Sequence, residues 1–126
     1  MSRIVKAEPA LIPGKGRGLR AVEQLAVGEV VESAATIALS PPECDLIEKT
    51  AIGDFYFAHP NQDHEGLVIL GLASLCNHAD VPNAEVRWRY DDGLGWIAEL
   101  VALRAIGAGE EITRRYHCQP WFQIAS

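Results

Sequence analysis

The densest chemistry in this chain lies in seven consecutive residues, Asn77-His78-Ala79-Asp80-Val81-Pro82-Asn83. Asn carries two amide donors and a carbonyl acceptor, His both donates and accepts, and Pro82 fixes a backbone dihedral. With no Gly among them, these residues favour one conformation. Loops are also where rigid scaffolds present binding groups. Two readings stand side by side: a rigid turn whose polar side chains bond only backbone, or a ligand site. A second candidate is Gly14-Lys15-Gly16-Arg17-Gly18, because a main chain approaches a ligand closely only where Cβ is missing. This stretch is no P-loop, since it lacks the Gly-Lys-Ser/Thr ending and no helix follows. It is no dinucleotide fingerprint either, since the chain shows no βαβ alternation. A third candidate is Gly109-Glu110-Glu111-Ile112-Thr113-Arg114-Arg115-Tyr116. Here Glu110 and Glu111 read as a turn and core-pairing feature, and Arg114-Arg115 as a solvated strand face beside a site. His59 and His64 flank a polar loop and have metal-ligand chemistry, but exposed loop histidines are the commoner case.

The elements that must hold these groups are mostly strands. Ile4 to Ala7 alternates and is closed by Pro9 and Pro13; Gly14 to Gly18 is a tight turn; Leu19 to Val22 is a short strand; Val27-Gly28 turns the chain into Val30 to Leu39. Ser40-Pro41-Pro42-Glu43 predicts a helix start, with Ser40 as N-cap and prolines in the first turn, and the helix should run to about Ile52 and stop at Gly53. Asp54 to Ala58 reads as an aromatic strand and His59 to Gly66 as a polar loop. Ala84, Val86, Trp88 and Tyr90 share one strand face opposite Glu85, Arg87 and Arg89, and Asp91-Asp92-Gly93 turns into Trp96 to Leu103. Ala21 to Val31 and Ala102 to Ile112 are alike, each with a buried Leu25 or Ile106, a Gly-Glu turn and an apolar strand. Two copies fall short of a solenoid, so the same strand–turn–strand unit is used twice.

Composition bounds the partners. The chain has 126 residues, 48% of them apolar and 22% charged, which suits one domain with a single core. No apolar run nears the roughly 20 residues of a membrane helix, and the first residues lack the apolar stretch of a secretory signal. Cys44, Cys76 and Cys118 are odd in number and form no CxxC, so reduced thiols and a cytoplasmic setting (nuclear in a eukaryote) are expected. A net charge of −6 argues against direct nucleic-acid binding and suits a basic peptide.

In order, Gly16-Arg17-Gly18, Asn77 to Asn83 with its Asn-His-x-x-x-Pro-Asn pattern, and Gly-Glu-Glu-Ile-Thr-x-x-Tyr at Gly109 to Tyr116 resemble the SET domain. Each piece alone is common; together they span nearly the whole chain. The resemblance is to the small stand-alone SET proteins of bacteria and viruses. It implies a mainly β fold with a short helix, whose C-terminal segment threads in a knot-like way under the preceding loop. Residues 1–126 would then be a single SET domain without a pre-SET or zinc-binding post-SET segment. It also implies S-adenosylmethionine as methyl donor and a lysine side chain of a protein or peptide as acceptor. Lys15, Gly16, Arg17 and Gly18 would cradle the cofactor, Asn77 and His78 would hold its adenine and amino-acid ends, and Tyr116 would be the active-site tyrosine.

Departures from the family refine this. Where many members have a zinc-ligating Cys after Asn-His, this chain has Asp80, and beyond Tyr116 only Cys118 remains, so no structural zinc is expected. Something else must close the site: Trp121 or Phe122 over the adenine, or a partner subunit in a homodimer, with core packing as the plainer role for those aromatics. The strand from Val30 to Thr36 lacks the usual channel tyrosine, for which Tyr56, or Phe55 and Phe57, would substitute. The position that often tunes methyl number falls on Val86. A protein-lysine methyltransferase is the leading expectation; a SET-fold protein without turnover, binding cofactor or a protein partner, is the alternative.

Overall fold

The computed structural model describes residues 6–62 and 65–116. Its strands form two sheets. The first runs β1 (Ala7–Ile12), β2 (Gly16–Ala21), β9 (Glu111–Arg114), β6 (Asn77–His78) in spatial order. The second runs β4 (Tyr56–Ala58), β5 (Gly66–Ile69), β3 (Val30–Leu39), β8 (Gly95–Ala102), β7 (Ala84–Asp91). Among the described residues only β6 and β9 pair in parallel, joining Asn77 to Thr113 and His78 to Arg114. That pairing brings the Asn77 loop to the end of β9. The mainly β fold with one short helix is as the sequence predicts. The chain beyond Tyr116, and with it the expected knot-like threading, lies outside the described residues.

Four elements differ from expectation, each for a local reason. The first strand is described over Ala7–Ile12, with Ile4 and Val5 outside the described residues, and it runs straight through Pro9, which faces Leu19. A missing N–H is tolerated there because β1 is an edge strand. The next turn is centred on Gly14, with Lys15 N–H bonded to Ile12 C=O at 3.0 Å. Gly16 and Gly18 already belong to β2. Helix α1 (Pro41–Ile47) starts as predicted, with Ser40 and Glu43 in a reciprocal capping box, but it is only seven residues long. Thr50 accepts a bond from Ile52 N–H and starts a separate 3-10 turn, Ala51–Asp54. A Thr hydroxyl competing for backbone donors ends a helix readily. The strand expected from Asp54 consequently begins at Tyr56.

The two similar units pair with each other. Leu25 and Ile106 are both fully buried and exchange backbone hydrogen bonds of 2.8 and 3.0 Å. Ala21 N–H donates to Glu110 C=O at 2.9 Å, and Ala102 N–H donates to Glu29 C=O at 2.9 Å. Gly109 N–H reaches Ala21 C=O, and Gly28 N–H reaches Ala102 C=O, both at 2.8 Å. Gly28 and Gly109 have φ of 82° and 83°, the left-handed region that suits glycine. This two-fold brace ties the sheets together. Leu19, Leu25, Leu100, Ile106 and Ile112 form the centre of the core around it. Val86 and Trp88 pack on its rim, whereas Tyr90, at the far end of the predicted face, is exposed.

Candidate active site

The site begins with the strand from Glu111 to Arg114. Each Glu111 carboxylate oxygen is used: Lys15 Nζ lies 2.9 Å from Oε1, and Asn77 Nδ2 donates to Oε2 at 2.9 Å. Asn77 Nδ2 also reaches Arg17 C=O at 3.4 Å. One carboxylate thus binds the glycine-rich turn to the Asn77 loop. Gly18 is required here, because a Cβ would stand 2.7 Å from Asn77 Nδ2 and 2.7 Å from the Ile12 side chain. Gly16 opens β2 at φ 77°, with open space where its Cβ would be. The two amide hydrogens of Asn77 are directed at Glu111 and Arg17, so Oδ1 is its remaining acceptor.

The other end of the loop is held as tightly. Asn83 is 2% exposed. Its Nδ2 donates to Glu111 C=O at 2.7 Å, its Oδ1 accepts from Thr113 N–H at 2.8 Å, and its own N–H donates to Thr113 Oγ1 at 3.2 Å. Ala79 N–H adds a bond to Arg114 C=O at 3.0 Å. Between these anchors the tip carries Val81, 90% exposed. Asn83 is thus structural, as the rigid-turn reading has it, and Asn77 faces a cavity.

His78 and Tyr116 form the second cluster. Tyr116 N–H donates to His78 Nδ1 at 3.0 Å, which puts the ring proton on Nε2, 2.9 Å from Asp80 Oδ1. The two rings meet edge to face at 5.2 Å. The Tyr116 hydroxyl donates to Cys76 C=O at 3.2 Å. Burial pushes the phenol above its ordinary pKa, and the nearby Arg114 guanidinium partly opposes that. Burial also raises the Cys76 thiol to about 12. Phenol and thiol are therefore both neutral near pH 7, and neither is a ready nucleophile or base.

A cavity of about 220 Å3 joins the clusters, lined by Arg17, Asp54, Phe55, Ser74, Leu75, Cys76, Asn77 and Tyr116. It thus holds Arg17, Asn77 and Tyr116 from the three sequence motifs, and Phe55 from the aromatic segment. Gly18 packs on Asn77 and His78 bonds Tyr116 N–H, one contact behind them, and Lys15 is linked to Asn77 through Glu111. Tyr56 and Val86 do not line it. The Tyr56 hydroxyl bonds Glu48, and Val86 pairs with Leu100 on β7. Phe55, named beside Tyr56 as a substitute aromatic, is the one in the wall. Trp121 lies outside the described residues. Sequence reasoning missed Glu111 as the link between turn and loop, and Asp54 and Cys76 as lining. The one signal for Glu111 was its place on the strand beside the glycine turn, which pairing alone reveals. Of the loop histidines, His59 accepts from Asn61 N–H and Gln62 N–H, both at 3.0 Å, as a turn residue does.

A model of the SET domain matches residues 16–117. The chain belongs to the SET domain family. Among solved structures, this SET domain is similar to a putative histone methyltransferase of Plasmodium falciparum, with TM-score 0.73 and 20% identity over 96% of this chain and 100% of that one. It is also similar to part of an apo ctPRC2 structure mutated in Ezh2, with TM-score 0.71 and 22% identity. That match covers 93% of this chain but only 15% of the other. At these identities the likeness establishes the fold. Among curated proteins, none matches the sequence.

Proposed function

We propose that this SET domain transfers a methyl group from S-adenosylmethionine to a lysine side chain of a protein or peptide. One observation carries the reading: Arg17, Asn77 and Tyr116, drawn from three separate motifs, line the same cavity. The residues fit the cofactor. Gly18 lets the glycine-rich turn pack directly on Asn77, Arg17 C=O and Asn77 Oδ1 offer oxygens to an ammonium, and the Arg17 side chain offers a cation to a carboxylate. Lys15 acts through Glu111 rather than directly, and Gly16 and His78 supply main-chain groups beside the cavity. The cavity is smaller than the roughly 300–1,000 Å3 usual for ligand sites, so a ligand of this size would reach past it, with Trp121 proposed to cover the adenine. When bound, the cofactor supplies an electrophilic methyl on a sulfonium.

The chain's own residues must make the acceptor amine neutral and hold it in line. Lysine's free pKa is about 10.4, so its neutral form costs roughly 4–5 kcal/mol at pH 7. Phe55 and Leu75 in the wall exclude water, which lowers that pKa. Tyr116 donates its proton to Cys76 C=O, which leaves an oxygen lone pair to accept an amine N–H and fix its direction. Good alignment is worth several kcal/mol more. The substrate would be a protein with an accessible lysine, met in the cytoplasm, or in the nucleus of a eukaryote.

Calorimetry with S-adenosylmethionine, and then a labelled-methyl assay on lysate proteins, tests this. Binding and transfer to protein are expected. Binding without transfer would move the protein to the alternative, a SET-fold binder without turnover, and no heat of binding would sink the enzyme reading.

A further inference from the structure

Arg114, read from sequence as part of a solvated strand face, is instead stacked between two aromatic rings. Its guanidinium carbon lies 4.2 Å from the centroid of Phe57 on β4 and 4.3 Å from that of Tyr116. Phe57 is buried, and its ring is braced edge to face by Trp88 on β7 at 5.8 Å. The series Trp88–Phe57–Arg114–Tyr116 thus runs from the rim of the core on the larger sheet to the wall of the cavity. Planar guanidinium groups stack on aromatic faces in a way an ammonium does not. The Tyr116 ring is then constrained by its face under Arg114, its edge against His78, and its hydroxyl on Cys76 C=O.

We infer that Arg114 is a positioning residue of the site: its guanidinium, clamped on Phe57, sets the plane of the Tyr116 ring and so the direction in which the hydroxyl oxygen meets the acceptor amine. The inference rests on the methyl-transfer reading for its kinetic consequence, but the clamp itself has a readout that needs no activity. Arg114 acts through Tyr116, so its loss should lower kcat and leave KM for cofactor and peptide nearly unchanged.

The test compares Arg114→Met, Arg114→Lys and wild type, with Phe57→Leu weakening the clamp from the opposite side. Ring-labelled tyrosine NMR reads the flip rate of Tyr116, with Tyr56 and Tyr90 as internal controls. Arg114→Met is expected to speed Tyr116 flipping and leave the other two rings unchanged. In the assay it should lower kcat by about 10- to 100-fold, the scale of a small misplacement, with KM within about two-fold. Arg114→Lys keeps the charge without the plane and should fall between Met and wild type. Phe57→Leu should loosen the same ring to a lesser degree. Unchanged Tyr116 flipping in Arg114→Met overturns the inference, as does a loss that appears in KM rather than kcat. If wild type transfers no methyl while the ring still loosens in Arg114→Met, the clamp stands and the enzymatic reading fails.

Discussion

The two units that brace the core share a backbone path and differ in the side chains carried after the Gly-Glu turn. After Gly28-Glu29 the chain continues as Val30, Val31, Glu32, Ser33, Ala34 and Ala35; after Gly109-Glu110 it continues as Glu111, Ile112, Thr113, Arg114, Arg115 and Tyr116. The position shared by Val31 and Ile112 is buried in both, because it points into the common core. Where the first unit has Val30, Ser33 and Ala35, all exposed, the second has the carboxylate that ties two motifs together, the stacked guanidinium and the cavity tyrosine. One scaffold thus serves twice, once as frame and once as site. The brace sets position, while the side chains after the turn set chemistry.

The largest effect expected from breaking this contrast is on activity. Tyr116→Phe removes the hydroxyl that orients the amine and should lower kcat about 100-fold, whereas Ala35→Ser, at the matching place in the first unit, should leave it within about two-fold. A labelled-methyl assay reads both. Stability should treat the units alike. Leu25→Ala and Ile106→Ala remove fully buried side chains that pair with each other, and each should cost about 3 kcal/mol in denaturant unfolding. Because the two residues touch, the double variant should cost less than their sum, and strict additivity would contradict the brace.

A smaller effect separates the halves again. Asn83→Ala strands Thr113 N–H and Glu111 C=O in a buried place, at a cost of about 2 kcal/mol. It should also weaken cofactor binding by calorimetry, since Asn83 and Asn77 end the same loop. Gly28→Ala and Gly109→Ala meet no neighbour within 4 Å, so the cost is backbone strain alone, about 1–2 kcal/mol and similar for both.

The smallest effect is in acid. Glu29 is held below the usual carboxylate pKa of 4.5 by Ala26 N–H and then by Lys6, and Glu110 by Arg104 and then by Gly107 N–H. A depressed folded pKa contributes stability above the unfolded value and loses it as pH falls through the folded one. Urea midpoints of wild type and of Glu29→Gln or Glu110→Gln should therefore differ slightly above pH 4.5 and converge below it, similarly for the two units.

Much of this is legible in the residues. Gly16-Arg17-Gly18, Asn77 to Asn83 and Gly109 to Tyr116 mark the family and three cavity residues, because a close backbone approach, an amide and a phenol each demand a particular residue type. The likeness of Ala21–Val31 to Ala102–Ile112 is visible too, but not that Leu25 bonds Ile106, since periodicity reports a face and not its partner. Pro9 reads as a strand end because edge position cannot be seen along one chain. The helix reads as too long because Thr50 competes for backbone donors in a way that apolar spacing does not register. Tyr56 reads as the first substitute for the channel tyrosine; in the structure Phe55, which caps the 3-10 turn, lines the cavity, and Tyr56, which opens β4, bonds Glu48.

Residue types alone were enough to mark which groups have chemistry: a glycine-rich turn, an Asn-His loop without glycine, and one tyrosine closing the last motif. These are local requirements, written in residue type. Tertiary structure alone decided what those groups touch. The parallel pairing of β6 with β9 set Asn77 beside Glu111 and Tyr116 beside His78, and the approach of β4 put Phe57 over Arg114. Such contacts join residues far apart in the chain, and only the burial of a shared core fixes their register.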